Sequence, residues 1–590
     1  MCFLATKNWE LETQRKGTLR FLANCQPVHR QVGKPGKDKW SITRGALIPP
    51  CTPTWGGPQP NPFAPFTAPL AVTVDIEPGM SAWLSTENDS HAGYLAVFDA
   101  AANRLAWDSQ TKRIPLPVGA ATNFHVASYV PRKSETGHTI PDAFDLRLTV
   151  ADAGGAAVLT DTVRLKVAPL ILPPECSPAT AVYSTHAIPA VTNLTQANAG
   201  LNASRWTQDM VKLAKVQCAG GPCATVALGL DYDASSQLTT FLSSLQMMRA
   251  GWTFSEQECG NGGNMMATPP LPDAPYGKIM LGTAHNESKA YWEAQGIQPV
   301  IDIPNNWLLV GHVDELFMWI TPNKVIYADP WKAAELIYGE FSKDLGTNTL
   351  WCGWDAAGTN STVAGVAIDN GKITTLPVTI PWSSTNVTVT FGSAIFAPDD
   401  YLHVGFEVLR VESVNGAACV LERAQGSSPA GTHLSGSFIY ALSPLMKKNL
   451  LHLNGNPSVA TRISIAMNAL KLGLGGYASG VSFIPVPVLF NDNVPIVGVS
   501  PDLFAACTAN LANCLMVTPN EIYYSDPGIE AFKNYFKDHV AAGAVAVDVW
   551  EDYHCWCGEI HCGTAAVRSL PHTPPWWEQD AIKTKWKDEK

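Results

Sequence analysis

The feature that most constrains this chain is a change of texture at the segment LILPPE, Leu170–Glu175. Upstream, between Leu70 and Pro169, short runs such as LAVTVDIEP, AGYLAVFDA, AFDLRLTV and DTVRLKVAP alternate apolar and polar residues at close spacing. Successive side chains of a strand point to opposite faces, so this alternation predicts an all-β domain over 70–169. A sandwich of immunoglobulin-like (Ig-like) architecture is the expected form, although no Cys…Trp…Cys spacing accompanies it. Downstream, strand-like runs (ATVALGLD, GKIMLGT, NWLLVGHVDELFMWI, KVIYADP) mix with helical patterns (RWTQDMVKLAKV, SKAYWEAQG, WKAAELIYGEF, TRISIAMNALKLG). A mixed α/β domain is therefore expected over 170–590, with a strand-rich insertion near 348–440. A chain of 590 residues is too long for one core, which makes the fold class α+β and multidomain. Residues 1–69 read as a polar, patternless lead followed by a Pro-rich linker.

Composition narrows the function. With 46% hydrophobic and 15% charged residues the chain is globular. A net charge of −11 without any Lys/Arg-rich block argues against a nucleic-acid partner. No apolar stretch is long enough to span a bilayer as a helix, so no membrane partner is expected. The 14 cysteines and the sequons at Asn88, Asn193, Asn202, Asn286, Asn360 and Asn386 favour an exported protein. The cytoplasm is the alternative, because no apolar leader is visible at the N-terminus.

Three stretches carry chemistry. In WLLVGHVDELFMWI, read as a strand, His312 and Asp314 project to one face. They make a catalytic pair, a structural hydrogen bond, or half of a metal site. In RWTQDM, Asp209 reads as a first-turn helix carboxylate. In YHCWCGEIHCGT, the set His554, Cys555, Cys557, His561 and Cys562 is too crowded for structural zinc, which prefers two separated pairs. A disulfide through Cys555 or Cys557 is compatible with export. Cys562, followed by Gly and small residues, is a reactive or a structural thiol.

Taken in order, R-W-x-Q-D, G-H-V-D-E, G-E-I-H-C-G-T and P-P-W-W resemble the protein-arginine deiminase family. The likeness extends through VRLKVAPLILPP, GNMMATPPLPDAPYGKIMLG and SGVSFIPVPVLF, roughly Val163 to Trp577. It implies a five-fold pseudo-symmetric α/β propeller as the catalytic domain, preceded by a β-sandwich. It implies Cys562 as thiol nucleophile, His312 as general acid and base, and Asp209 and Asp314 as carboxylates gripping a guanidinium. Trp206 would pack on the aliphatic stem of the bound arginine. The implied reaction turns peptidyl-arginine into peptidyl-citrulline and ammonia through a thiouronium intermediate. A small guanidine or free arginine is the alternative substrate, and a non-catalytic binding protein using the β domain is a third reading.

The chain departs from the family where calcium binds. Acidic ligand positions are occupied by Met210, Lys212 and Met266, and only Gln208 of that set is retained. Thioethers and an ammonium are not ligands for hard Ca²⁺. No cofactor is therefore expected, with Lys212 placed to supply part of the missing positive charge. Trp556 stands where the family carries a substrate-binding arginine.

Overall fold

The computed structural model describes Leu19–Leu22, Ala46–Ile48 and most of residues 70–576. The longer internal intervals outside the described residues are 129–142, 197–204, 231–247, 255–261, 354–359 and 495–501.

The named elements up to Val167 are all strands, arranged in two five-stranded sheets. One contains Leu70–Val74, Ala121–Ser128 and Leu95–Phe98; the other contains Ala157–Val167, Ala143–Ala151, Ser81–Thr86 and Arg113–Leu116. Register follows the alternation: Leu84 pairs opposite Leu148, and both side chains are fully buried. Two pieces of the presumed lead are strands as well. Leu19–Leu22 pairs antiparallel with Leu70–Val74, and Ala46–Ile48 pairs parallel with Leu165–Val167. Runs this short carry no readable period, and only the neighbouring sheet edges supply their hydrogen bonds.

Beyond Leu170 the chain forms a series of small sheets that repeat one pairing pattern, an antiparallel pair extended by a parallel strand. Met265–Ala267 and Ile279–Gly282 are antiparallel, and Val300–Ile303 joins parallel. The same holds for Phe317–Thr321, Lys324–Asp329 and Ser482–Pro487. It holds again for Leu515–Thr518, Glu521–Ser525 and Val545–Val547. Ala565–Arg568, Ala179–Ser184 and Leu194–Gln196 follow it too. So do Val211–Val216, Ala224–Leu230 and Met248–Phe254, with Leu170–Ile171 added at the edge. Parallel pairing needs a crossover, and helices lie in several of these connections, among them one, Glu530–His539, that the sequence reading did not name. Glu530–His539 follows Glu521–Ser525 and precedes Val545–Val547 in the chain, and it buries Phe532 and Phe536, one turn apart. Val459–Leu474 starts on Ser458, whose Oγ accepts from Thr461 N at 3.2 Å, and buries Val459, Ile463, Ala466, Leu470 and Leu474.

One helical expectation is overturned. The stretch RWTQDMVKLAKV is a four-residue helix, Thr207–Met210, that runs directly into the strand Val211–Val216. All six strand residues are buried, including Lys212 and Lys215. A strand enclosed on both faces loses its period-two signature, and the two lysines imitated a helix's polar face.

Residues Ile368–Leu442 hold a six-stranded sheet with its own core of Leu376, Val389, Leu402, Leu409 and Leu421. Glu407, fully buried in it, accepts from Arg423 Nε and Nη2 at 2.6 Å each and lies 2.8 Å from His433 Nε2. These partners, with the Gly431 and Ala424 amides, overcome burial and hold its carboxyl down at about 2. Arg423→Met strands that carboxylate. The expected cost is about 3–5 kcal/mol, read as a lowered urea midpoint for this sheet by hydrogen exchange.

Candidate functional site

Residues far apart in sequence meet where the last turn before Ala565–Arg568 passes the helix Thr207–Met210. Gln208 N donates to Cys562 O at 3.1 Å, tying the two backbones together. Asp209, in the first turn of that helix, places Oδ1 3.9 Å from His312 Nε2. His312 and Asp314 do not lie on a strand. His312 caps a 3-10 turn, Val313–Glu315, and the strand begins only at Phe317. Glu315 Oε1 accepts from His312 N at 2.9 Å, which closes the turn. The apolar neighbours of HVDE concealed the turn, because the whole segment is buried.

The His312 and Asp314 side chains share a neighbour, Gly263. A Cβ there would stand 2.5 Å from His312 Nδ1 and 2.9 Å from Asp314 Oδ2. Only glycine permits this approach of a backbone to both groups. Cys562 Sγ lies 4.0 Å from Asp314 Oδ2 and receives the Asn513 amide Nδ2 at 3.3 Å. Cys562, His312, Asp314 and Asp209 are all at most 6% exposed. Burial, followed by the charges of Asp314 and Asp209, pushes the Cys562 thiol well above its ordinary range. The centre is thus rich in negative charge and holds its thiol protonated.

Behind this centre lie groups that sequence reasoning named without this role, His561 and Gln208, and others that it missed. His561 Nδ1 is 2.8 Å from Asp314 Oδ2 and 3.2 Å from Gln208 Nε2, and its Nε2 is 3.8 Å from Glu175 Oε2. Burial opposes the imidazolium, but the Asp314 and Glu175 carboxylates overcome it and raise the ring's pKa. Glu175 in turn accepts from Arg568 Nε at 2.9 Å and lies 3.5 Å from Lys212 Nζ. Burial raises that carboxyl's pKa, yet the two cations hold it below the usual carboxylate range. Lys212 Nζ also donates to Gly262 O at 3.0 Å. Glu175, Gln208, Lys212, His561 and Arg568 line a small cavity of about 30 Å³. The adjacency of His561 to Cys562 was the only signal available; Asn513, Glu175 and Arg568 carried none.

Glu315 has a pH consequence of its own. Burial, with the neighbouring Asp314 charge, raises its pKa to about 8, from 4.5. Between these values the unfolded chain gives up the proton while the folded one keeps it, so stability falls as pH rises. Glu315→Gln removes this dependence. Its melting temperature is expected to drop less than the native protein's between pH 5 and 8, measured by scanning calorimetry.

Trp206 is half-buried beside Cys562's turn: its ring centroid is 5.9 Å from that of Tyr553, and a Cβ on Gly558 would lie 2.3 Å from it. Further out, Arg205 stacks 4.6 Å from the ring of Trp556, which is 58% exposed.

Two metal possibilities can be tested on donor chemistry. For zinc, the His/Cys cluster diverges: His554 Nδ1 binds Glu559 Oε1 at 2.6 Å, His561 turns to Asp314, and Cys562 to Asn513. For calcium, Met266 is buried in the apolar core, Met210 is buried as well, and Lys212 places an ammonium beside the Gly262 carbonyl. This set does not fit a hard dication.

Comparison with known proteins follows the same lines. Residues 157–353 match the family model "Protein-arginine deiminase (PAD)". The rat protein-arginine deiminase type-3 is 26% identical over 257 residues, 37% of this chain and 38% of the relative. The human type-3 enzyme is 26% identical over 205 residues, 29% and 30% of the two chains. The mouse "inactive protein-arginine deiminase type-6" is 23% identical over 236 residues, 32% and 34%. These matches thus span about a third of the curated relatives' length. Among solved structures, an agmatine deiminase of C. jejuni overlaps 68% of this chain and 97% of its own at 9% identity and a TM-score of 0.31. A putative arginine deiminase from Porphyromonas gingivalis overlaps 68% and 98% at 8% identity and 0.31. Overlaps at this level do not establish a shared fold.

Proposed function

Since residues 157–353 relate this chain to the protein-arginine deiminases, we propose that its buried centre hydrolyses the guanidinium of arginine in a peptide, releasing ammonia and leaving citrulline. The observation that carries this reading is the placement of a thiol 4.0 Å from one carboxylate, with a second carboxylate 3.9 Å from an imidazole. A guanidinium is planar, permanently charged and rich in donors. Asp209 and Asp314 offer acceptors for its edges and compensate its charge in a dry site. As the substrate cation arrives, the Cys562 thiol yields its proton to His312 and its sulfur adds to the central carbon, forming a C–S bond and a tetrahedral adduct. His312 gives a proton to the departing nitrogen, which leaves as ammonia from a covalent thiouronium. Water, deprotonated by His312, then adds to the same carbon, and the C–S bond breaks to return the thiolate and release the neutral urea of citrulline. Loss of the substrate's charge weakens the carboxylate grip and favours release. Trp206 supports the aliphatic stem.

The architecture we infer is an Ig-like β-sandwich over 70–169 followed by a deiminase domain over 170–590, interrupted near 348–440. The repeated antiparallel-plus-parallel sheets support a five-bladed α/β propeller for the second part.

The deciding assay is ammonia release from a blocked arginine ester and from an arginine peptide, against free arginine and against the Cys562→Ser protein. Turnover of the blocked substrates alone supports peptidyl-arginine as substrate. Turnover of free arginine alone moves the reading to small guanidines. No turnover, with no labelling of Cys562 by a haloacetamidine, would leave a non-catalytic binding protein. Because Lys212 supplies a fixed cation where the relatives' ligands are replaced, EDTA is expected to leave the rate within about twofold and added Ca²⁺ to restore nothing. A strong EDTA loss reversed by calcium would sink that part.

A further inference from the structure

Cys352 directly follows the short strand Thr349–Trp351 at the base of the strand-rich stretch, and Cys507 lies in the buried segment after Phe504. Their Sγ atoms are 3.2 Å apart, across 155 residues of chain. The backbones are tied at the same place, where Gly353 N donates to Cys507 O at 2.7 Å and Cys507 N to Leu489 O at 2.9 Å. Cys507 is fully buried and Cys352 is half-buried, so an oxidant in solution reaches the second first.

From this contact we propose that Cys352 and Cys507 are a disulfide-forming pair that staples the base of the 348–440 stretch to the segment that packs against Cys562. That segment carries Asn510, whose Nδ2 donates to Glu315 O at 2.9 Å and whose N donates to Glu559 Oε1 at 2.8 Å. It also carries Asn513, the amide that meets Cys562 Sγ. A link at Cys507 therefore limits the freedom of residues that hold both the 3-10 turn and the thiol in place. The chemistry is an exchange with a small-molecule disulfide such as oxidised glutathione. The Cys352 thiolate attacks it and expels one small thiol; the Cys507 thiolate then attacks the Cys352 sulfur and expels the second. Two protein thiols lose two electrons and two protons, and one small disulfide is reduced to two thiols. Backbone contact on both sides means that little rearrangement separates the reduced and oxidised forms. The inference is independent of the catalytic reading.

The test treats the full chain with oxidised glutathione, blocks remaining thiols with N-ethylmaleimide under denaturing conditions, and maps peptides by mass spectrometry. A linked peptide pair containing Cys352 and Cys507, lost after reduction, is expected. So is a melting temperature higher than that of the reduced protein by roughly 5 °C or more, since the closed loop is long. Cys352→Ser removes both the linked pair and the thermal shift, while ammonia release persists if the enzyme reading holds. Complete maleimide labelling of both cysteines after oxidant, or linkage of either to a different cysteine, would overturn the proposal.

Discussion

Cys562→Ser is expected to lower ammonia release from a peptidyl-arginine substrate at least about 10³-fold while the melting temperature stays near that of the native protein. A serine hydroxyl preserves the acceptor for the Asn513 amide at this buried position, so the fold has no reason to change. It fails as a nucleophile for a different reason. Asp314 and Asp209 already resist ionisation of the softer, more acidic thiol. An alcohol beside the same carboxylates has no route to its anion. A serine protein retaining more than roughly one per cent of the rate would exclude the covalent thiol pathway. Gly263→Ala probes the same centre from the other side, because its methyl would enter the space of His312 and Asp314. A fall in kcat of about tenfold or more, with Cys562 still alkylated by a haloacetamidine, is the result that fits a displaced imidazole.

The second large effect concerns charge. At neutral pH the Cys562 thiol of the free protein is protonated, because burial and two carboxylates raise its pKa. A cation brought to about 4 Å of the sulfur stabilises the thiolate by about 4 kcal/mol at an effective dielectric of 20, opposing the effect of burial and of the two carboxylates. Substrate binding and thiol activation are then one event. Labelling by a cationic haloacetamidine at pH 7 is accordingly expected to outpace neutral iodoacetamide by about 10²-fold. Iodoacetamide labelling should rise steadily with pH through the alkaline range, since the thiolate fraction alone limits it. Asp314→Asn removes the nearest carboxylate. It should speed iodoacetamide and slow the amidine, collapsing the difference. Equal rates for the two reagents on the native protein would mean that the carboxylates do not face the thiol's approach path.

Some of the structure was readable in advance and some was not, for identifiable reasons. Leu84 and Leu148 stand opposite each other because a half-buried strand writes its period into the sequence. Val459–Leu474 is legible as a helix because Ser458 caps it and its buried residues recur every three or four positions. His312 and Asp314 were found, yet on the wrong element. A 3-10 turn buried on all sides has no polar face to betray it. The strand Val211–Val216 was hidden likewise, its two buried lysines mimicking a surface. Leu19–Leu22 was invisible because a four-residue run carries no readable period and is held by pairing with the distant strand Leu70–Val74.

By itself the sequence determined the order of chemical parts: a carboxylate after Trp206, an imidazole and carboxylate two places apart at His312 and Asp314, a thiol at Cys562, and the non-carboxylate side chains Met210, Lys212 and Met266 around them. Those are properties of local residue identity. Tertiary structure alone decided that His561 turns to Asp314, that Glu175 is held between Lys212 and Arg568, that Asn513 reaches the sulfur, and that Cys352 meets Cys507. Each joins elements tens to hundreds of residues apart. Side-chain interactions act only over a few ångströms, so no pattern along the chain can encode which of them packing will bring together.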